Sequence, residues 1–435
     1  MLSSCLSYSR YGVFLLVLSS LPLAEVSGQS GHSYRVRASV SDCVNVRASP
    51  SASANSVACI PAGTQVTVLE SVPYWRRLPS VGSQQRWMAK KFLEPITPPV
   101  PLTGTAIPAD AWLEVHFVDV GQGDGIWIHT HDDGIDGNGR FEGRNIVIDG
   151  GPYSSDRTNP FLPYLEDRAH HGAVIDALIV THAHTDHYRG AETLSRHFTI
   201  QDYYDPGFPS TASGYQAFLT SLRGTDTHPA RAQNIHLGQA NFGILDWGGE
   251  LTAEVLYAWP GNNTGLGSGN TLLNNTSIVM RLEYGNHSFL FMGDGEGKDR
   301  NDSPATAQYV EQILLNTVGA AQLDVTVLKV GHHGSETSST LPFIQAVDPE
   351  IVVVQSGRKS FNGTFIPDTT TLQRYCNHNA AIRIYRTDQN DAADGLSAAE
   401  SPDGDHIVIR TNGTTFQVEA FEGGQPFTVN SCQLS

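Results

Sequence analysis

The sequence predicts an α/β protein in which a small N-terminal β-barrel precedes a larger layered domain. Residues 33–97 alternate apolar and polar side chains in short stretches separated by turn residues, which is typical of a small barrel. From residue 111 to residue 424, strands rich in Val, Ile and Leu alternate with helix-like stretches, which predicts an α/β domain. The proline-rich segment 98–110 is predicted to be a semi-rigid linker, and residues 425–435 a C-terminal tail.

Apolar runs in the large domain predict its strands. They are "LEVHFVDV", "IVIDGG", "DALIVTHA", "SIVMRLEYG", "SFLFMGD", "VTVLKVGHHG" and "EIVVVQSG". Helices are expected around residues 161–171, 304–316 and 367–377. Several of the strands end directly in polar residues, which makes their ends candidate parts of a functional site.

Residues 1–28 have the pattern of a secretory signal peptide. Arg10 precedes an apolar run from Val13 to Leu18, and cleavage is predicted after Gly28. The alternative is a retained N-terminal anchor. No later segment is long and apolar enough to span a bilayer, so the processed chain is not expected to be membrane-spanning. A secreted or periplasmic protein is predicted.

Cysteine usage fits an exported protein. Without the signal peptide the chain keeps four cysteines, which favour two disulfides, most simply Cys43–Cys59 and Cys376–Cys432. No pair has C-x-x-C spacing, so a zinc ribbon is not expected. The formal net charge is −17, whereas a protein that holds DNA by charge alone would be basic. Any nucleic-acid role would therefore depend on metals in the site.

The densest chemical signal is "THAHTDHYRG", which follows an apolar run directly. His182, His184, Asp186 and His187 have the spacing H-x-H-x-D-H. Imidazoles and carboxylates are preferred ligands of zinc, manganese and iron. His182 and His184 are expected to face one metal, and Asp186 and His187, one turn on, a second.

Other strand ends offer the remaining ligands. Asp149 follows "IVI", Asp294 follows "FMG", and His332 and His333 follow "LKVG". A carboxylate such as Asp294 is able to bridge two cations about 3.5–4 Å apart, as in two-metal hydrolysis. The sequence therefore predicts a cofactor of two divalent ions, zinc or manganese.

Two stretches of the barrel carry a resemblance to a known family. "VNVRASPSASANSVACIPAGTQVTVLE" and "RWMAKKFLE" resemble the bacterial SH3 domain. That resemblance implies either binding to cell-wall material or an accessory docking role.

The large domain resembles the metallo-β-lactamase fold, an αββα sandwich. The motifs "VHFVDVGQGDGIWI", "LIVTHAHTDHYRG", "SFLFMGDGE" and "VTVLKVGHHGSETS" stand in the order seen in the ComEC-like branch, the extracellular nuclease domain of competence proteins. Phosphorylcholine esterases of the bacterial cell wall are similar in the same metal motifs. No third histidine is found between the first motif and Asp294, which fits this branch and argues against a true β-lactamase. Ile366 stands where ComEC proteins usually have a histidine.

The resemblance implies a role for each motif residue. His182, His184 and Asp294 would hold the first metal, and the second would be held by Asp186, His187, Asp294 and one histidine of the GHHG motif, preferably His333. Asp186 would also orient the attacking water, and His332, as a catalytic residue, would lie either behind the metal ligands or near the substrate. Asp149 and Asp124 would orient the metal loop through hydrogen bonds, with a structural turn as the alternative for Asp124. The candidates for contacting a phosphate are Lys329, Ser335, Arg358 and Thr387, each with a solvated surface role as the alternative.

These residues predict a secreted dinuclear metal-dependent hydrolase, a phosphodiesterase or nuclease that uses a hydroxide bridging its metals and acts on DNA or cell-wall material. The alternatives are a metallohydrolase of carbon esters, lactones or amides, and a wall-binding protein with an inactive hydrolase domain.

A separate loop, residues 131–143, is rich in Asp, Asn and Gly. An inserted hairpin turn is favoured there over a calcium site, because the EF-hand spacing is not met.

Overall fold

The fold is known from a computed structural model of the chain. It describes residues 32–37, 42–51, 53–72, 75–96, 106–135, 137–170, 173–225, 227–243, 245–357, 359–361, 363–389, 391, 402–429 and 432. The predicted signal peptide, residues 1–28, and most of the linker lie outside these residues.

The N-terminal unit consists of short strands in two sheets. The strands are β1 (His32–Val36), β2 (Cys43–Arg47), β3 (Ser56–Pro61), β4 (Gln65–Val68), β5 (Glu70–Val72), β6 (Trp75–Val81), β7 (Gln84–Ala89) and β8 (Leu93–Pro95). They are ordered β3-β2-β7-β6-β5 and β4-β1-β8. The disulfide Cys43–Cys59 joins β2 to β3, which confirms that predicted pairing.

The large domain contains two further sheets. Its first strands are β9 (Leu113–Phe117), β10 (Ile126–His129), β11 (Asn145–Ile148), β12 (Val174–Ile179), β13 (Thr199–Asp205) and β14 (Ala232–Leu237). They are followed by β15 (Leu251–Tyr257), β16 (Val279–Tyr284), β17 (His287–Phe291), β18 (Val327–Lys329), β19 (Ile351–Val354), β20 (Ser360–Phe361), β21 (Thr364–Phe365), β22 (Arg383–Arg386), β23 (Ile407–Thr411), β24 (Phe416–Glu422) and β25 (Gln425–Phe427). One sheet has the order β14-β13-β12-β11-β10-β9-β23-β24-β25, the other β15-β16-β17-β18-β19-β22, and β20 and β21 form a separate hairpin.

Helices cover the outer faces of both sheets. They are α1 (Phe161–Leu165), α2 (Thr185–His197), α3 (Ser213–Arg223), α4 (Gly269–Asn274), α5 (Tyr309–Thr317), α6 (Ala320–Leu323), α7 (Leu341–Val347) and α8 (Thr369–His378). One apolar core lies between the sheets, where Phe117 and Phe291 are fully buried, and one lies on each outer face. The predicted αββα sandwich with an N-terminal SH3-like barrel is thereby confirmed. Among the described residues, no helix is both long and apolar enough to cross a bilayer.

Several sequence predictions need correction. Helices α2, α3, α4, α6 and α7 were not predicted, and the helix expected at 304–316 starts only at Tyr309. A tail was predicted for residues 425–435, but residues 425–429 and 432 belong to the domain, because β25 pairs with β24 and Cys432 is bonded to Cys376. That disulfide confirms the second predicted pairing, and the two disulfides indicate an oxidising compartment. At the end of the predicted linker, Ile107 packs against the inter-sheet core.

The loop 131–143 contacts the barrel. Asp132 accepts two hydrogen bonds from the Arg76 guanidinium, at 3.2 and 3.0 Å, and its Oδ2 lies 3.5 Å from Nζ of Lys90. Glu142 accepts the backbone N–H groups of Gly137 and Gly139, both at 2.9 Å. These carboxylates are therefore engaged by protein donors, as the favoured hairpin-turn prediction requires.

Candidate metal centre

Two pairs of parallel strands bring the predicted ligands to one edge of the sandwich. β11 pairs with β12, and β17 pairs with β18. The carboxyl ends of parallel strands meet at the same sheet edge, so the residues that follow them converge. The metal-motif loop follows β12, and helix α2 begins at Thr185, which places Asp186 and His187 in its first turn.

Asp294 lies at the centre of the cluster. Its Oδ2 is 3.3 Å from Nε2 of His187 and 3.6 Å from Nε2 of His182, and its Oδ1 is 3.4 Å from Nε2 of His333. His184 joins through its Nδ1, which is 2.9 Å from Nε2 of His182. The structure thus brings three predicted ligands around the Asp294 carboxylate and a fourth, His184, beside them.

Four groups of three ligand atoms in this cluster have all their atoms within 4.8 Å of one another, and two of the groups consist only of predicted metal ligands. The first comprises His182, His187 and Asp294, and the second Asp186, His187 and His333. His187 is common to both groups, whereas it was predicted to face only the second metal. Which ligand serves which metal therefore stays a prediction.

Unpaired polar atoms test whether a cation fits here. Nε2 of His187, Nε2 of His333 and Oδ1 of Asp294 are buried and have no hydrogen-bond partner among the described residues. Buried polar atoms normally find partners, because leaving one unpaired costs about 1–3 kcal/mol. Imidazole nitrogens and carboxylate oxygens suit divalent transition metals, so the residues fit the predicted metals.

The pKa values of two histidines in the cluster also fit a bound cation. Burial would lower the pKa of His187, but Asp294 and Asp149 outweigh it and hold that pKa well above its usual value. Burial likewise opposes the change at His333, whose pKa is raised to about 9 by Asp294 and Asp124. Protons on the histidines balance the buried carboxylates, and a divalent cation would displace those protons on binding.

Outer residues fix the orientation of the ligands. Oδ2 of Asp149 lies 2.7 Å from Nδ1 of His187, and Asp149 also accepts the backbone N–H and the hydroxyl of Thr181. Nδ1 of His182 lies 3.3 Å from Oγ of Ser277. Each contact engages Nδ1, which leaves Nε2 of His187 available for a metal, whereas Nε2 of His182 contacts Nδ1 of His184.

Asp124 is held between the ligand loops. Its Oδ1 is 3.2 Å from Nδ1 of His333, and its Oδ2 pairs with Nζ of Lys329. Gly123, with φ of +140°, lets the loop that carries Asp124 approach the backbone of Asp186 closely. A Cβ at this position would lie 2.2 Å from the backbone oxygen of Asp186. Lys329 is 1% exposed, so both predictions for it, phosphate contact and solvated surface, are wrong. Its ammonium instead compensates the buried charge of Asp124.

The cluster opens into a cleft of about 480 Å³. Its lining includes His184, Thr185, Asp186, Asn270, Thr271, Asn274, Asp294, Glu296, Arg300, His332, His333, Ser335, Thr337, Lys359, Phe361 and Ile366. Of the predicted phosphate contacts, Ser335 lies in this wall. Thr387 does not: it is buried and its hydroxyl donates to the backbone oxygen of Ser356 at 3.0 Å. Arg358 lies outside the described residues.

Several lining residues escaped the sequence analysis. Glu296 is 2% exposed, with Oε1 3.0 Å from Nδ1 of His332 and 2.8 Å from Nδ2 of Asn274. Arg300 donates to both carboxylate oxygens of Asp368. Phe361 belongs to the β20–β21 hairpin and is 43% exposed. Glu296 stands two residues after Asp294 in "GDGEG", which was the one signal available in the sequence.

Family comparisons agree with this geometry. Residues 140–252 match the metallo-β-lactamase superfamily, and residues 42–94 match the bacterial SH3 domain. Both resemblances read from the sequence are confirmed. The chain thus contains a metallo-β-lactamase domain, and the His and Asp groups described above are those expected of a metal-dependent hydrolase.

Three curated relatives are similar to parts of this chain. The chain is similar to ComE operon protein 3 of Bacillus subtilis, at 28% identity over 291 residues, covering 64% of this chain and 32% of that protein. Recombination protein 2 of Haemophilus influenzae is 28% identical over 221 residues, 51% of this chain and 22% of that protein. Competence protein ComA of Neisseria gonorrhoeae is 34% identical over 119 residues, 27% of this chain and 15% of that protein. The chain spans about a third or less of the length of these relatives.

Proposed function

We propose that this chain is a secreted, dinuclear metal-dependent phosphodiesterase that acts on DNA or on a phosphodiester of the bacterial cell wall. The observation that carries the proposal is the pair of three-ligand groups that meet at His187 beside Asp294. Similarity to competence and recombination proteins favours a DNA-related substrate. The two disulfides and the signal-peptide pattern of residues 1–28 support secretion.

The chain's own residues divide the work. His182, His184 and Asp294 would hold one ion, and Asp186, His187, Asp294 and His333 the other, which leaves Asp186 on the cleft wall to orient the attacking water. Zinc or manganese ions, when bound, would activate that water and neutralise charge on the phosphate oxygens.

His332 is our candidate for the acid that protonates the leaving group. It lines the cleft with its side chain 25% exposed, and Nδ1 lies 3.0 Å from Glu296 Oε1 and 2.9 Å from Thr337 Oγ1. A carboxylate beside one ring nitrogen fixes the orientation of the ring. Nε2 lies 3.3 Å from Asn274, another residue of the cleft wall. Glu296 would thus position His332 for proton transfer.

Replacing His332 with glutamine is expected to lower kcat on DNA by about 10²- to 10⁴-fold, because an alkoxide leaving group needs a proton. Hydrolysis of bis-p-nitrophenyl phosphate should change little, because p-nitrophenolate departs unprotonated. Steady-state kinetics on both substrates measure the difference, with His378→Gln as the control on the exposed end of α8. An equal loss on both substrates would instead assign His332 to metal binding or to structure.

The β20–β21 hairpin is our candidate for contacting a nucleobase. Phe361 lines the cleft, and Nζ of Lys359 lies 5.5 Å from the centre of its ring. Stacking of a base on an aromatic ring contributes about 1–3 kcal/mol. Phe361→Ala is therefore expected to raise KM for single-stranded DNA roughly 5- to 150-fold and to leave KM for the small ester unchanged.

Phe365 provides a matched control for that prediction. It lies on the same hairpin and is also 43% exposed, but it is not part of the cleft wall. Phe365→Ala should leave KM for DNA unchanged. Equal effects of both substitutions would show that the hairpin acts through its fold and not through stacking.

Hydrolysis assays test the proposed function. Protein lacking residues 1–28, loaded with Mn²⁺ or Zn²⁺, is assayed on linear DNA, bis-p-nitrophenyl phosphate, and carbon esters and lactones, with Asp186→Ala as the inactive control. Cleavage of DNA and of the small phosphodiester, lost in the variant, is the expected result. Cleavage of the small ester without DNA would indicate a cell-wall phosphodiester. Activity confined to carbon esters would overturn the phosphodiesterase proposal, and metal-loaded protein inactive on every substrate would favour a wall-binding protein.

A further inference from the structure

We propose that Asp391, Asp403 and Asp405 form a Ca²⁺ site that is separate from the catalytic cluster. Each offers a carboxylate oxygen, and these oxygens all lie within 4.8 Å of one another. Asp405 is fully buried and Asp391 is 6% exposed. Three carboxylates this close repel one another strongly in a poorly hydrated setting unless a cation or protons lie between them.

An unpartnered oxygen points to a missing ligand. Oδ1 of Asp405 accepts the backbone N–H of Gly423 at 2.6 Å. Oδ2 of Asp405 is buried and accepts no hydrogen bond from any residue in the described part of the chain. A buried carboxylate oxygen in this position is costly, and a bound cation would satisfy it directly.

The surroundings add negative charge. Asp119 accepts the backbone N–H groups of Asp403 and Gly404, at 2.8 and 3.0 Å, which holds another carboxylate beside the cluster. The nearby Arg386 is engaged by Asp388 through a contact of 2.7 Å. Burial and the neighbouring carboxylates raise the pKa of Asp391 to about 7 and that of Asp405 to about 9.

The donor set selects the ion. All three ligands are hard carboxylate oxygens, without the imidazole or thiolate that zinc prefers. Ca²⁺ tolerates irregular oxygen geometry and completes its shell with water, whereas Mg²⁺ demands a near-ideal octahedron. Asp403 also lines an open cavity of about 400 Å³, so one of the three ligands is reachable from solvent.

The site would fasten two segments to the catalytic domain. Asp403 and Asp405 directly precede β23, while Asp391 follows β22 in the other sheet. Through Asp119, whose carboxylate also accepts the N–H of Gly121, the cluster reaches the loop that carries Asp124. Bound Ca²⁺ would therefore stabilise the fold near the catalytic loop without entering the cleft.

Calcium binding to the zinc-loaded full chain, measured by equilibrium dialysis with ⁴⁵Ca²⁺, tests the proposal. Asp391→Asn and Asp403→Asn are compared with Asp167→Asn, a control whose carboxylate is 81% exposed. We expect one Ca²⁺ per chain in the wild type and the control, and a Kd at least about tenfold higher in both variants, because affinity follows ligand charge. Ca²⁺ should also raise the Tm of the wild type and not that of the variants.

Two results would overturn the proposal. One is the absence of Ca²⁺ binding by the wild type at millimolar concentration, the range of extracellular calcium modules. The other is an unchanged Kd in either variant. Retained hydrolysis of bis-p-nitrophenyl phosphate by the variants shows that they are folded, so weakened binding is not mistaken for unfolding.

Discussion

Replacing Asp294 with asparagine is expected to abolish hydrolysis, with kcat/KM falling by at least about a thousandfold. Asp294 lies within 3.6 Å of His182 and His187 and within 3.4 Å of His333, so its charge serves every part of the cluster. Asparagine keeps the shape but removes the negative charge that two cations would share. Metal content by atomic emission should fall together with activity.

Asp324→Asn is the matched control, because Asp324 is an exposed aspartate in the same domain. It should keep both metal content and activity. Comparing the two variants separates the effect of losing the Asp294 charge from a general effect of the substitution on folding. If Asp294→Asn bound the full complement of metal and retained activity, the two-metal arrangement around this carboxylate would be wrong.

Replacing Arg76 with alanine is expected to lower the free energy of unfolding by about 3–5 kcal/mol, because it leaves a buried carboxylate without its main partner. The Arg76 side chain is fully buried and that of Asp132 is 5% exposed. Urea unfolding followed by tryptophan fluorescence reports on the barrel through Trp75 and Trp87, which are both buried.

Arg35→Ala, at an exposed position of the same barrel, is the control and should cost less than about 1 kcal/mol. Hydrolysis of the small ester below the unfolding transition should survive Arg76→Ala, because the salt bridge is not part of the cleft wall. A double variant that also lacks Asp132 should recover part of the loss. Equal stability of Arg76→Ala and wild type would show that Lys90 alone compensates Asp132.

The sequence was sufficient to predict the sandwich and the convergence of His182, His187, Asp294 and His333, because short motifs at the ends of apolar strands carry that information. Helix α2 was missed because its buried face combines Tyr188 and Leu194 with small and polar residues. Long-range pairing was also beyond reach. Lys329 and Asp124 are 205 residues apart, and only the folded sheet shows that they neutralise each other.

The cleft lining has a consequence for how a substrate is admitted. The charged side chains of the wall are three carboxylates, Asp186, Asp294 and Glu296, and two cations, Arg300 and Lys359. The raised pKa of His333 adds a third positive charge, so the metal-free wall is close to neutral. Two divalent ions would make it strongly positive. An enzyme with a formal charge of −17 would then repel polyanions until it is metallated and attract them locally afterwards. In the proposed phosphodiesterase, metal binding would thereby control substrate entry electrostatically, in addition to enabling catalysis.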